Sequence, residues 1–260
     1  SANSTHASGR DGYIIILRDI TKQKSLEDER DEFISVVSHE LRTPIAIAEG
    51  SLSNVQLMME RPDIPQATLH DGVNAAHQQV VFLAKMANDL STLSRAERGV
   101  ADTPELIDVA ELISELYAEY SPEATEKSLY FDLDLDPQLG AVNESRLYLK
   151  ELLQNIVTNA IKYTQTGGVT VSVKRSAPRL LTFTVKDTGI GISRSDQAHL
   201  YQKFWRSEDY RTRETSGTGL GLYVVAKLAL KLKTEIKLKS RLNHGSTFSF
   251  SLPAVKKNKS

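Results

Sequence analysis

Apolar residues in the first hundred positions recur at steps of three and four, which is the spacing of one face of an α-helix. A first series runs from Ile34 to Met59, a second runs from Leu69 to Leu93, and the segment RPDIP (61–65), with two prolines, separates them. This pattern predicts two long amphipathic helices joined by a short turn. Because a single helical hairpin cannot bury both apolar stripes well, we expect two copies to form a dimeric four-helix bundle. The members of the two series are Ile34, Val37, Leu41, Ile45, Ala48, Leu52, Val55 and Met59, then Leu69, Val73, Ala76, Val80, Leu83, Ala87, Leu90 and Leu93.

The pattern changes after the segment VADTPE (100–105). Helical spacing returns at 109–120, 144–163 and 220–232, and strands are predicted for SLYFDLDLD, GGVTVSVKR, LLTFTVKD, TEIKLKS and STFSFSLP. Strands clustered with helices in this order favour an α+β two-layer sandwich with the helices on one face. The segment 192–217 is polar and has no clear period.

Domain boundaries follow from these changes. We assign 22–99 to a charged helix plus the helical hairpin, 100–105 to a hinge linker, 106–253 to the α+β domain and 254–260 to a disordered tail. The first residues are polar, and the run YIIILRDIT (13–21) is typical of a strand. We therefore interpret 1–21 as a tag remnant followed by the last strand of an upstream domain.

Composition narrows the function classes. The net charge of −1 over 260 residues gives no electrostatic argument for nucleic acid, so no nucleic-acid partner is expected. No cysteine is present, which excludes disulfides and thiolate metal sites. No apolar run reaches the length of a membrane span. We expect this chain to be cytoplasmic and leave open whether a longer protein is membrane-anchored.

The stretch SVVSHELRTPI (35–45) places a histidine beside a carboxylate and a proline inside a helical pattern. His39 lies two residues from Val37 and two from Leu41, so it points away from the apolar stripe. A neutral imidazole is a competent nucleophile, Glu40 can orient it and accept its proton, and Thr43 follows one turn later. Pro44 cannot donate to the Glu40 carbonyl, so we expect the helix to kink or loosen there. A surface histidine without a role is the alternative.

Three further segments carry candidate chemistry. In ELLQNIVTNAIKYT the side chains of Asn155, Asn159 and Lys162 share one helical face, which fits either a solvated face or a site for Mg²⁺ and phosphates. DTGIGI (187–192) follows a strand and offers a carboxylate and two glycines. GTGLGL (217–222) opens a helix whose backbone N–H groups suit a phosphate.

SHELRTPI resembles the H-box of sensor histidine kinases of two-component systems. The later segments, with LYQKFWRSEDY (200–210), resemble the N, G1, F and G2 boxes of that family's Bergerat-type ATP domain. The similarity covers about 21–253, and RDIT also resembles, more weakly, the exit of a PAS sensor domain. The family resemblance thus identifies five ordered motifs in one chain.

The resemblance implies a role for each motif residue. His39 would be the phospho-acceptor, and Glu40 would assist the phosphoryl transfer. Thr43 would support phosphatase action on the partner, and Arg206 would approach the γ-phosphate. Asn159, supported by Asn155, would hold Mg²⁺. The residues implied in ATP binding are Asn155, Asn159, Lys162, Tyr163, Asp187, Gly189, Gly191, Phe204, Gly217, Thr218, Gly219, Leu220 and Gly221, with 193–216 as a lid.

The implied function is ATP-dependent autophosphorylation of His39, followed by phosphoryl transfer to an aspartate of a separate response regulator, with phosphatase activity. The implied partners are a second copy of the chain, the response regulator and an upstream PAS-like sensor that this chain lacks. Two alternatives remain: a catalytically silent nucleotide-binding scaffold that signals through dimer geometry, and an ATPase unrelated to signalling. The intact motifs disfavour the first alternative, and the H-box hairpin disfavours the second.

Overall fold

The computed structural model describes residues 3–7, 10–14, 18–61, 63–98, 103–213 and 217–255. The strands are β1 Asn3–Ala7, β2 Arg10–Ile14, β3 Glu105–Asp108, β4 Tyr130–Leu135, β5 Ala141–Glu144, β6 Gly168–Ala177, β7 Leu180–Asp187, β8 Lys237–Ser240 and β9 Ser246–Val255. The helices are α1 Thr21–Met59, α2 Gln66–Arg98, α3 Val109–Glu126, α4 Arg146–Lys162, α5 Arg194–Gln197, α6 Tyr210–Arg213 and α7 Gly221–Lys231. They divide into two compact units, Ser1–Leu83 and Ala84–Ser260.

In the first unit, β1 and β2 pair antiparallel, with Asn3 opposite Ile14. This pairing was not predicted, because the opening residues are polar and were interpreted as a remnant. Of the strand predicted for 13–21, residues 13 and 14 lie in β2, 15–17 lie outside the described residues, 18–20 have no regular structure, and α1 already begins at Thr21.

The predicted helical hairpin is confirmed as α1 and α2. α1 continues through Pro44, which provides no N–H for the Glu40 carbonyl, and the kink or loosening expected there stays a prediction. Ala48, Val55 and Ala76 are buried in the first unit. A methyl group added to Gly72 of α2 would lie 2.5 Å from the Val55 side chain, which shows how closely the two helices pack.

The two predicted apolar stripes are not buried as a whole. Large apolar side chains from both helices stay exposed, and several of them recur at steps of seven residues. Those that belong to the predicted stripes are Ile34, Ile45, Leu52, Met59, Val73 and Val80. The single chain therefore leaves an apolar surface on its hairpin, as expected if one hairpin cannot bury both stripes.

The second unit contains a seven-stranded sheet in the order β3-β5-β9-β7-β6-β4, and β8 also pairs with β9. Only β4 and β6 run parallel; the other pairs are antiparallel. α4 packs against α3, α7, β6 and β7, and burial alternates along β7, where Leu181, Phe183 and Val185 are buried. This arrangement of helices on one buried face of a sheet confirms the predicted α+β sandwich.

Two short strands and one strand end differ from the prediction. β3 begins inside the predicted hinge and β5 precedes α4, where a helix was expected from 144. Ser145 instead caps α4 by accepting the Tyr148 N–H at 3.3 Å. The predicted tail was wrong at its start, because Ala254 still pairs with Val142 in the sheet. Residues 256–260 of that tail lie outside the described residues.

The second unit begins within α2, at Ala84, although the hinge was predicted at 100–105. Residues 99–102, which include most of that hinge, lie outside the described residues. The carboxylate of Asp89 on α2 accepts a hydrogen bond from the Thr218 hydroxyl at 3.0 Å, and both side chains are buried. The last part of α2 is thus joined to the glycine-rich segment before α7. In the part of the chain that the structure describes, no helix is long and apolar enough to cross a membrane.

Candidate active site

His39 projects from α1 into solvent, with its side chain 75% exposed. The predicted exposure is therefore confirmed. Its Nδ1 lies 3.5 Å from Oε1 of Glu40, a carboxylate that is itself 45% exposed. Thr43, one turn later, is also exposed. Among the described residues no hydrogen bond engages the second imidazole nitrogen, Nε2, so that nitrogen is open to a reaction partner.

A pocket in the second unit collects most of the predicted nucleotide residues. It lies between the C-terminal part of α4, the end of β7 and the glycine-rich segment before α7. The predicted residues that line it are Asn159, Lys162, Tyr163, Asp187, Gly191, Arg206, Gly217, Thr218, Gly219 and Gly221. Segments separated by up to about sixty residues of sequence thus meet at one concave site.

Asp187 sits at the end of β7 with its carboxylate largely buried. Burial raises the pKa of this carboxyl group, although the backbone N–H groups of Gly189 and Ser246 oppose the rise by donating at 2.8 and 3.1 Å. Both donors bind Oδ1. Oδ2 therefore remains an acceptor for a ligand such as an exocyclic amine.

Cationic side chains gather on another part of the pocket wall. Lys162 donates from Nζ to the Tyr163 hydroxyl at 2.9 Å, with Nζ 4.5 Å from the ring centroid. The pKa of Lys162 is lowered to about 7, mainly by burial and also by the positive charges of Lys85, Arg206 and Lys127. Clustered cations that disfavour one another's charge make a site that an anion would stabilise.

The glycine-rich segment closes tightly against its neighbours. Gly219 has φ +69°, and an added Cβ would lie 2.6 Å from the carbonyl carbon of Phe204. A Cβ on Gly217 would lie 2.5 Å from Nζ of Lys162. Only glycine combines this backbone conformation with such a close approach. The segment therefore presents bare backbone to the pocket beside a lysine.

Four predicted residues do not line the pocket: Asn155, Gly189, Phe204 and Leu220. Asn155 is buried, its amide donates to the Glu151 carbonyl at 2.9 Å, and its oxygen is next to Gly221. Its role as a metal ligand stays a prediction, and its placement favours support of the glycine segment from behind. Leu220 is fully buried, and Gly189 serves through its N–H to Asp187.

The other residues of the pocket wall, many of them apolar, were not predicted from the sequence. They are Lys85, Ala160, Ile190, Ile192, Asp196, Leu200, Trp205, Ser207, Asp209, Thr212, Leu222, Leu242, Ser246 and Phe248. The inward alternation along β9 could have suggested Phe248, and the only tryptophan of the chain, next to Phe204, could have suggested Trp205. Nothing in the sequence around Lys85 points to a pocket whose other lining residues lie between 159 and 248.

Among the described residues, no group of three His, Cys, Asp or Glu side chains could hold a metal ion. The pocket nevertheless contains the amide of Asn159 beside the cationic wall. Amide oxygens suit Mg²⁺, which keeps several waters and shares phosphate oxygens with its nucleotide. These donors fit a Mg²⁺ ion that is bound together with a phosphate ligand.

The chain combines an exposed histidine on a helical hairpin with a nucleotide-type pocket on an α+β sandwich. This combination is typical of a phosphotransfer protein with a phospho-acceptor part and a nucleotide-binding part. Two family models match the chain in the same order. "His Kinase A (phospho-acceptor) domain" matches residues 29–99, and "Histidine kinase-, DNA gyrase B-, and HSP90-like ATPase" matches residues 144–256.

Individual proteins support the same assignment. The chain is 31% identical to the sensor histidine kinase WalK of Bacillus subtilis (strain 168) over 94% of its own length and 40% of WalK. It resembles the solved histidine kinase AdeS of Acinetobacter baumannii with a TM-score of 0.64 and 26% identity, over 83% of this chain and 97% of AdeS. The histidine kinase ThkA, solved in complex with the response regulator protein TrrA, shares the fold with a TM-score of 0.65 at 20% identity, over 99% of this chain and 75% of that one.

The chain belongs to the sensor histidine kinases. It spans less than half the length of several curated relatives that it matches.

Proposed function

We propose that this chain is the catalytic portion of a sensor histidine kinase, which phosphorylates its own His39 with ATP and passes the phosphoryl group to an aspartate of a separate response regulator. The observation that carries the proposal is the exposed imidazole of His39, held at Nδ1 by Glu40 and open at Nε2. A family-typical nucleotide pocket in the same chain supplies the donor site.

The geometry supports attack by Nε2. With the proton on Nδ1, the Nε2 lone pair faces away from Glu40 and forms the new bond to the γ-phosphorus of ATP, while the bond from that phosphorus to the bridging oxygen breaks and ADP leaves. The imidazole gains positive charge as the bond forms, and the Glu40 carboxylate accepts the Nδ1 proton. Transfer to an aspartate then breaks the bond between Nε2 and phosphorus, and return of the proton from Glu40 to the ring restores the neutral histidine.

The pocket residues fit the parts of ATP. Oδ2 of Asp187 accepts from the adenine amine, and Tyr163 contacts the base. Lys162 and Arg206 face the phosphates, together with the backbone of the glycine segment around Thr218. Asn159 is the residue that would hold Mg²⁺, whose charge offsets that of the phosphates when it is bound.

A second copy of the chain is the partner that the hairpin supports best. Exposed apolar side chains of α1 and α2, among them Ile45, Leu52 and Val80, would be buried in a four-helix bundle. A response regulator would then dock where His39 is exposed. Thr43, on the same face as His39 at i, i+4, is the residue that would support phosphatase action on that regulator. An upstream PAS-like sensor remains part of the proposal.

The test is incubation with γ-labelled ATP and Mg²⁺, followed by acid and base treatment of the labelled protein. We expect acid-labile, base-stable label that His39→Gln abolishes while ATP binding is retained. His77→Gln is the matched control, because His77 is another exposed helical histidine. Binding of ATP without any label would favour the silent scaffold, and label that persists in His39→Gln would contradict the role of His39.

A further inference from the structure

Lys85 lines the nucleotide pocket although it belongs to α2, the second helix of the hairpin. The sequence assigned the nucleotide site to residues after 106 alone. Lys85 lies in the same compact unit as the sheet, so its place at the pocket is part of that unit's own structure. A cation of the hairpin thus faces the site where phosphates are expected.

A specific contact holds this part of α2 against the pocket. Asp89, one helical turn after Lys85, accepts from the Thr218 hydroxyl at 3.0 Å, and the same hydroxyl oxygen accepts the Leu220 N–H at 3.2 Å. Asp89 is 5% exposed, Thr218 is 5% exposed, and Met86 of α2 is fully buried. A carboxylate is buried in this way only with a partner, so the contact fixes α2 relative to the glycine segment.

The carboxylates of Asp89 and Glu151 attract the charge of Lys85. Among the described residues, however, no hydrogen bond or ion pair engages its ammonium group, and its positive charge also disfavours the charged form of Lys162. Lys85, Lys162 and Arg206 therefore line one pocket, where the positive charges of Lys85 and Arg206 disfavour the charged form of Lys162 until an anion enters. A nucleotide phosphate would offset that repulsion and bind the Lys85 ammonium group.

We propose that Lys85 is a nucleotide-binding residue, which contacts the phosphates of ATP from α2 while the Asp89–Thr218 hydrogen bond holds that helix at the pocket. The inference rests on the proposed function, because it takes ATP as the ligand. It extends the nucleotide site beyond the ATP domain and makes ATP affinity depend on the position of α2.

The experiment measures the affinity of the whole chain for ATP with Mg²⁺ by titration calorimetry. Lys85→Met should weaken ATP binding about tenfold, the size of one hydrogen bond to a charged group, and should weaken AMP binding less. Lys85→Arg should restore most of the affinity. Arg95→Met is the matched control, since Arg95 is an exposed cation on the same helix that does not line the pocket, and it should bind ATP as the wild type does.

Asp89→Ala tests whether the helix contact positions Lys85. If it does, Lys85→Met should cost less affinity in the Asp89→Ala background than in the wild type. Equal ATP affinities for wild type and Lys85→Met would overturn the inference while leaving the proposed function intact. A wild-type chain that does not bind ATP would overturn the proposed function as well.

Discussion

Lys162 gives a quantitative test of the nucleotide site, through the pH dependence of ATP binding. Its pKa is lowered to about 7, mainly by burial, so above pH 7 the empty site holds it mostly as the neutral amine. A bound phosphate favours the ammonium form and returns the pKa toward its ordinary value. Binding of ATP should therefore take up a proton at Lys162, and affinity should fall as pH rises.

The magnitude follows from this pKa. At pH 8 about 0.9 of the free sites carry neutral Lys162, so about 0.9 proton should be taken up per ATP bound. From pH 8 to pH 9 the affinity should fall about ninefold, because each binding event must protonate a site that is almost wholly neutral.

Calorimetry in buffers of different ionisation enthalpy measures both quantities. Mg²⁺ is kept saturating, so that the ATP phosphates themselves stay deprotonated throughout. Lys162→Met should bind ATP more weakly with a flat profile between pH 8 and 9, whereas Lys186→Met, which removes an exposed lysine outside the pocket, should keep the wild-type slope. A wild-type affinity that is unchanged from pH 8 to 9, with no proton uptake, would refute the reasoning about Lys162.

Two further predictions concern stability and assembly. Gly219→Ala should lower the free energy of unfolding by about 1–3 kcal/mol in chemical denaturation, since φ +69° is strained for alanine and the new methyl group would lie 2.6 Å from a backbone carbon. The control Gly50→Ala, in mid-helix with open space around it, should raise that free energy by about 0.5–1 kcal/mol, and an equal response of both variants would contradict the packing argument. The double variant Ile45→Lys and Leu52→Lys should shift the chain from dimer to monomer in analytical ultracentrifugation, because it places charge on the exposed apolar face. Leu230→Lys, a change at an exposed leucine of α7, should leave the dimer intact, and a double variant that stays dimeric would show that this face is not the interface.

Periodicity was sufficient to predict the long elements. The hairpin and the strands β6, β7 and β9 could be predicted because each repeats its apolar spacing over many residues. β3 and β5 have four residues each, which is too short for a period to emerge. β9 extends two residues past the predicted end because pairing with β5, a long-range contact, continues the strand through Val255.

The part of the nucleotide site that could be predicted from the sequence consists of polar residues and glycines in short motifs. Asn159, Asp187 and the glycines could be found because amides, carboxylates and clustered glycines are unusual within apolar segments. Trp205 and Phe248 were missed, since an apolar wall residue has the same sequence pattern as a core residue. Lys85 could not be predicted at all, because its place in the pocket depends on packing between segments more than seventy residues apart.

The central claim is that ATP phosphorylates His39, and tandem mass spectrometry under neutral conditions tests it most directly. After incubation with ATP and Mg²⁺ and digestion at neutral to mildly basic pH, the account predicts that the peptide containing SHELRTPI carries one phosphoryl group on His39, and that no other histidine peptide does. A phosphoryl group on a different residue, with the His39 peptide unmodified at full ATP occupancy, would contradict it.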